Sequence, residues 1–256
     1  MKIATWNVNS LKVRLPHLQD WLLSAHPDVI ALQETKTEDA NFPQIAIQEA
    51  GWNVVFSGQK TYNGVALISR QPASDVVYGI PDFADEQKRV IAASFGNVRV
   101  IGAYVPNGQS LDSDKYHYKL NWLAAFKDYL QDTLQRWPNM VVVGDYNIAP
   151  EDRDVHDPKA WAGAVLVSPP ERAAFRALLD LGFHDGMRLF EQADQTFTWW
   201  DYRAAGFRRN LGLRIDHILV SDALVPFCTA CEVDQAPRKL ERPSDHAPVW
   251  AEFKAS

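Results

Sequence analysis

Val90-Ile91-Ala92-Ala93-Ser94-Phe95-Gly96-Asn97-Val98-Arg99-Val100-Ile101-Gly102-Ala103-Tyr104-Val105 is the stretch on which the fold class turns. Two apolar runs rich in β-branched residues are split by Gly96-Asn97, a pair suited to a tight hairpin turn. Strand therefore adjoins strand in mid-chain, and the sheets are expected to be mixed or largely antiparallel. Further strand-like runs lie on either side, at 2–8, 29–33, 65–69, 140–144, 215–220 and 248–253. Helical patterns fall between them, clearest at 18–24, 118–135 and 171–181. Pro138-Asn139 ends the second, and Gly182 caps the third. The reading is an α/β protein with two mixed β-sheets packed face to face between helical layers. No linker, repeat or charge block divides the chain, so residues 1–256 are expected to form a single domain.

At 256 residues and 46% hydrophobic content, the chain has enough apolar surface for one sizeable core. A charged fraction of 23% with nine tryptophans excludes disordered and fibrous classes. The net charge of −6 argues mildly against a polyanionic ligand. Acids gathered to hold a metal ion count as negative until it is bound, however, so the balance decides little. Cys228 and Cys231 form a lone Cys-x-x-Cys with neither a redox context nor further zinc ligands, and read as reduced bystanders. The N-terminus enters a strand pattern directly, and no apolar run reaches membrane-spanning length. The expectation is a soluble, cytoplasmic monomer with no membrane partner.

Polar residues at the strand ends carry the chemistry. The first strand ends in Asn7 and Asn9, which share a face because side chains alternate. The second delivers Glu34, the hairpin delivers Tyr104, and 141–144 delivers Asp145 and Asn147. Asp216 opens a later strand, while Asp245 and His246 precede the last. Each alone is compatible with turn chemistry or a solvated end. Together they supply four carboxylates, several amides, an imidazole and a phenol, and oxygen donors of this kind suit Mg²⁺ or Mn²⁺ rather than zinc.

Eight segments then resemble the signature blocks of the exonuclease III and abasic-endonuclease family, in the family's order. They are Trp6-Asn7-Val8-Asn9, Leu32-Gln33-Glu34-Thr35-Lys36, Tyr62-Asn63-Gly64-Val65-Ala66, Tyr104-Val105-Pro106-Asn107-Gly108, Gly144-Asp145-Tyr146-Asn147, Phe197-Thr198-Trp199-Trp200-Asp201-Tyr202-Arg203, Gly212-Leu213-Arg214-Ile215-Asp216 and Pro243-Ser244-Asp245-His246-Ala247-Pro248. The resemblance implies a four-layered α/β sandwich of DNase I-like type and a Mg²⁺-dependent DNA phosphodiesterase, with Mn²⁺ as a substitute. It implies Glu34 as principal metal ligand, with Asn7 orienting it or the phosphate, in a metal-site set of Asn7, Glu34, Asp145, Asn147 and Asp245. Asp145 would activate or orient the attacking water, helped by Asn147. Asp216 would fix His246 against the scissile phosphate, and Tyr104 would contact it near the leaving group.

The implied partner is double-stranded DNA with abasic sites or 3′ ends. Candidate contacts are Asn9, Lys12, Arg14, Tyr62, Asn63, Asn107 and Lys119, with Lys115, Arg208-Arg209 and Arg238-Lys239 nearby; each is also compatible with solvated surface. Trp199, Leu213 and Ile215 resemble an apolar pocket for an extruded sugar, or are plain core. Leu166 stands where abasic endonucleases tend to carry glycine or serine. It is expected either to narrow that pocket, favouring 3′ ends, or simply to pack. A superfamily phosphodiesterase acting on phospholipid or inositol phosphate, and a non-catalytic nucleic-acid binder, remain as alternatives.

Overall fold

A computed structural model describes residues 1–254. The chain begins β1 (Lys2–Asn7), α1 (Leu11–Ala25), β2 (Val29–Gln33), α2 (Gln44–Glu49), β3 (Asn53–Ser57), β4 (Val65–Ser69) and β5 (Ser74–Tyr78). The middle contains β6 (Val90–Phe95), β7 (Val98–Tyr104), α3 (Asp114–Arg136), β8 (Met140–Asp145), α4 (Pro158–Trp161) and α5 (Pro169–Leu179). It ends with β9 (Phe183–Asp185), β10 (Trp199–Trp200), β11 (Gly212–Leu213), β12 (Asp216–Ser221), β13 (Cys228–Val233) and β14 (Val249–Phe253). One six-stranded sheet has the order β13-β14-β1-β2-β4-β3, the other β5-β6-β7-β8-β12-β9, and β10 and β11 pair separately. The Gly96-Asn97 hairpin joins β6 to β7 with Phe95 opposite Val98. Pairing is parallel between β1 and β2 and between β7 and β8, so both sheets are mixed.

Alternation along the central strands builds the layers. Ile3, Val29, Ala31, Val141, Val143, Ile218 and Val220 meet in one core between the sheets. Their neighbours Ala4, Trp6, Ile30 and Leu32 face outward onto Leu11, Leu18 and Leu22 of α1. On the opposite side, Ile101, Val142 and Leu219 pack on Trp122, Phe126 and Leu130 of α3 and Phe175 of α5. Strands buried on both faces read as continuous apolar runs, which is why 29–33, 65–69 and 140–144 stood out. The four-layered α/β sandwich is therefore present.

The differences from expectation have local causes. Helix α1 starts at Leu11 rather than 18, because burial of Leu11, Leu18, Trp21 and Leu22 outweighs the break suggested by Pro16. Helix α3 starts at Asp114, where the Ser113 side chain accepts the Lys115 N–H, and ends at Arg136. Strands β3, β5 and β13 carry no clear signal because they are partly exposed edge strands without the double-sided apolar run, and β9, β10 and β11 carry none because they are only two or three residues long. Cys228 and Cys231 lie along β13 as free thiols, and burial pushes the Cys231 thiol well above its ordinary pKa. Among the described residues no helix is long and apolar enough to cross a membrane.

A buried charge cluster fixes the entry to β12. Arg214 donates to Asp154 at 2.7 Å and to Asp185 at 2.7 Å, and its Nη1 lies 3.1 Å from His217 Nδ1. Burial alone would raise both carboxyls, but Arg214 outweighs it and holds them below the usual range. With Nδ1 facing a guanidinium, His217 carries its proton on Nε2, which donates to the Ile148 carbonyl at 2.8 Å. Burial, then the Arg214 charge, lowers the His217 pKa to about 4. Between pH 6.5 and about 4 the unfolded chain thus holds a proton on this residue that the folded chain lacks, and stability from neutral His217 falls with pH. Denaturant unfolding of wild type and His217→Gln should show the stability gap shrinking by about 2 kcal/mol between pH 7.5 and 5. A gap that stays constant contradicts this.

Candidate active site

The site continues the face that the two sheets share. Along β8, Val141 and Val143 point between the sheets, and two residues on so does Asp145. The same count carries Ile3 on β1 to Asn7, and Val100 on β7 to Tyr104; on β12, Asp216 shares this face with Ile218 and Val220. Register does the rest, placing Tyr104 and Asp216 on either side of Asp145. Gly144 permits this approach, since a Cβ there would lie 1.9 Å from the Ala103 carbonyl oxygen.

Asn7 joins the two sheets. Its amide nitrogen donates to Glu34 Oε2 at 2.7 Å and to Asp145 Oδ2 at 2.9 Å, while its Oδ1 accepts the Asn9 N–H at 3.0 Å. Glu34 follows β2 with φ of 52°, and Asn9, Ser10, Lys36 and Asn147 are also left-handed at 43°, 84°, 53° and 50°. Such conformations are costly for non-glycine residues and persist where surrounding bonds impose them. Here Ser10 N–H donates to the Glu34 carbonyl at 2.8 Å, and Leu11 N–H to Thr35 at 3.0 Å.

His246 Nδ1 donates to Asp216 Oδ2 at 2.8 Å and leaves Nε2 3.6 Å from Asp145 Oδ2. Burial alone would lower the imidazole pKa, but the Asp216 and Asp145 carboxylates outweigh it and raise it to about 10. Burial is also the main influence on Asp145; His246 opposes it, and with Asp216 and Glu34 adding repulsion the carboxyl rises to about 7. Tyr104 is raised well above its ordinary value by burial and by the Glu34 and Asp145 charges, so it is a neutral donor.

Glu34, Asp145 and His246 offer ligand atoms within 4.8 Å of one another. His246 gives Nδ1 to Asp216 and keeps Nε2 3.6 Å from Asp145 Oδ2, so the hard oxygen donors of the cluster are Glu34 and Asp145. A hard divalent cation fits them, because two hard carboxylate donors lie close together and repel one another. The other three members of the expected metal set lie around these two carboxylates. Asn7 turns its nitrogen to both carboxylates and orients them. Asn147 donates from Nδ2 to the Val105 carbonyl at 2.9 Å, and its N–H meets Asp145 Oδ1 at 2.9 Å. Asp245 stands outside the cluster, accepting from Asn9 Nδ2 at 3.1 Å and Trp199 Nε1 at 3.0 Å.

Of the expected DNA contacts, Lys12, Tyr62, Asn107, Lys115, Arg208, Arg209 and Lys239 are exposed. Lys119 is corrected: it is 0% exposed and paired with Glu171, so no phosphate reaches it. Arg238 is buried too, its guanidinium stacked 4.9 Å from the Phe207 ring. Asn63 is largely buried and donates to Gln59 at 3.1 Å, while Arg14 is bound to the Pro243 carbonyl at 2.9 Å. Leu166, Leu213 and Ile215 are buried in one cluster, with Trp199 packed against it partly exposed.

Several shaping groups escaped the sequence reading. Arg89 stacks 4.7 Å from the Tyr104 ring and donates to the Tyr104 carbonyl at 3.1 Å. Lys36 donates to Asn9 Oδ1 at 2.7 Å and lies 3.5 Å from Glu34. The Thr198 hydroxyl accepts the N–H groups of Ile215 and Asp216 at 3.0 and 3.1 Å, and Ser244 donates to the Asn7 carbonyl at 2.6 Å. Lys36, Thr198 and Ser244 sit inside the motif blocks, which was their available signal; Arg89 had none.

Comparison with known proteins agrees with this geometry. Residues 4–246 match the endonuclease/exonuclease/phosphatase family. Exodeoxyribonuclease III of Haemophilus influenzae is 39% identical, over 99% of this chain and 100% of that protein. The 3′ phosphatase NExo from Neisseria, solved with a product DNA hairpin, is 50% identical with a TM-score of 0.98 over 100% of both chains. An AP endonuclease from Archaeoglobus fulgidus is 41% identical with a TM-score of 0.96, again over 100% of both. The chain belongs to the endonuclease/exonuclease/phosphatase family, as the order of its motif blocks implied.

Proposed function

We propose that this protein is a DNA-repair phosphodiesterase of exonuclease III type that works mainly on 3′ ends and uses Mg²⁺, with Mn²⁺ as a substitute. The observation that carries this reading is the Asn7 amide shared between Glu34 and Asp145, with the His246–Asp216 pair facing the same carboxylate. Glu34 and Asp145 would hold the ion, with Asp245 at a second position. When bound, it neutralises charge on the phosphate oxygens and acidifies water. Asp145 would orient the attacking water, and the Asn147 amide would steady that water or a phosphate oxygen. His246, kept protonated by Asp216, donates to the phosphate as negative charge accumulates there, and the neutral Tyr104 hydroxyl donates near the leaving oxygen. Lys12, Tyr62, Asn9 and Asn107 are assigned to the double-stranded DNA that flanks the cleft. The reading takes residues 1–256 as one catalytic domain acting as a monomer in the cytoplasm.

Substrate choice is assigned to Leu166. It holds φ of 77°, a conformation costing a bulky residue about 1–2 kcal/mol, while its side chain packs with Leu213, Ile215 and Trp199. An extruded sugar entering beside Trp199 would have to displace it, on top of the few kcal/mol of unstacking that extrusion requires. A frayed 3′ terminus avoids both. The similarity to a protein described as a 3′ phosphatase and 3′-5′ exonuclease supports the same preference.

Purified protein should be assayed on three duplexes: one with an internal abasic site, one with a blocked 3′ end, one undamaged. With Mg²⁺ the 3′ ends should be processed faster than the abasic site is cut, and exhaustive chelation should abolish both. Full activity after chelation contradicts the metal assignment. Leu166→Gly should raise abasic-site kcat/KM and leave 3′-end activity nearly constant. If both activities fall together with Tm, Leu166 is core and nothing more.

A further inference from the structure

Lys119 lies in the second turn of α3 with its ammonium sealed from solvent. All three protons are used: it donates to the carbonyl oxygens of Asn107 at 3.1 Å and Asn147 at 2.7 Å, and to the Glu171 carboxylate. The two carbonyls belong to different loops, one after β7 and one after β8, and both loops border Asp145. The loops are also tied to each other, since Asn107 Nδ2 donates to Asn147 Oδ1 at 3.3 Å. Gly108, with φ of 93°, lies so close to the lysine stem that a Cβ there would meet Lys119 Cδ at 3.2 Å.

Glu171 is equally committed. Its Oε1 also accepts the Leu166 N–H at 3.0 Å, and its Oε2 accepts the N–H and hydroxyl of Ser168 at 3.1 and 2.6 Å. Ser168 and Glu171 form the capping box of α5, and the Ser168 hydroxyl meets Tyr116 OH of α3 at 2.7 Å. One ion pair therefore connects two helices, both amide-bearing loops and the backbone of Leu166.

Buried ion pairs are weak contributors to stability, and apolar residues of similar volume often replace them without loss. Packing does not explain this one. What an ammonium supplies and an apolar side chain does not is three directed bonds. Two of them end on Asn107 and Asn147, the second of which is held at φ of 50°.

We infer that Lys119 is a positioning residue, which fixes Asn147 and the loop of Asn107 from beneath without touching DNA, with Glu171 as its anchor. The inference rests on the reading of the site as a DNA phosphodiesterase and says how that site is aligned. Misplacement of reacting groups by about 1 Å can cost on the order of 100-fold in rate.

Two variants test it: Lys119→Met, and the double variant Lys119→Met with Glu171→Met. The single variant should have a lower Tm because it leaves a buried carboxylate unpaired, and the double variant should recover it. In both, kcat should remain about 10- to 100-fold below wild type, with KM for DNA within about twofold. DNA affinity measured in EDTA should keep the wild-type salt dependence in both. Lys12→Ala, which removes an exposed cation, should instead reduce that slope by about one. Recovery of kcat together with Tm in the double variant overturns the inference, as does a salt slope that falls with Lys119→Met. Absence of DNA turnover in the wild-type protein overturns both readings together, and so is distinguishable from either result.

Discussion

One amide group holds the site together. Asn7 has two amide protons, and each ends on a carboxylate from a different sheet, Glu34 beyond β2 and Asp145 at the end of β8. Its oxygen is fixed by the Asn9 N–H, so the group cannot turn over without losing three bonds. The spacing of the two carboxylates thus follows from the packing of one sheet on the other. A mutation in the apolar core between the sheets would act on the site through this contact, without touching any reacting group.

The alternation of β12 separates the chemistry from its support. Asp216 faces the space between the sheets and engages His246 from the segment that precedes β14. His217, one residue later, faces outward, where it meets Phe175 of α5 and completes the Arg214–Asp154–Asp185 cluster. The two adjacent positions thus serve opposite ends: Asp216, with Asp145, raises the His246 pKa, whereas His217 itself is held neutral by burial and a guanidinium. Both states arise from charges that are themselves buried and hydrogen-bonded, which keeps their positions fixed.

How much of this could be read from residues alone depended on burial. The central strands were legible because both their faces are apolar, and the candidate site residues stood out because polar groups ended those runs. Edge strands β3, β5 and β13 were not, since half-exposed strands of six residues or fewer carry little pattern. Lys119 was misread as a DNA contact, although its position held a clue. It lies three residues after Tyr116 and three before Trp122, on the buried face that continues to Leu123 and Phe126. A lysine on such a stripe has to find a partner inside. The expectation that Asn7 orients Glu34 follows from its motif block; that the same amide also reaches Asp145 depends on how the two sheets pack, which residue type does not record.

The claim that Asn7 sets the metal geometry is tested most directly by Mn²⁺ binding to wild type and Asn7→Ala, followed by electron paramagnetic resonance or calorimetry with Tm measured in parallel. Groups that orient metal ligands typically contribute about 10- to 100-fold in affinity. The account predicts a loss of that size for Asn7→Ala. Unchanged Mn²⁺ affinity in a folded Asn7→Ala protein would contradict it.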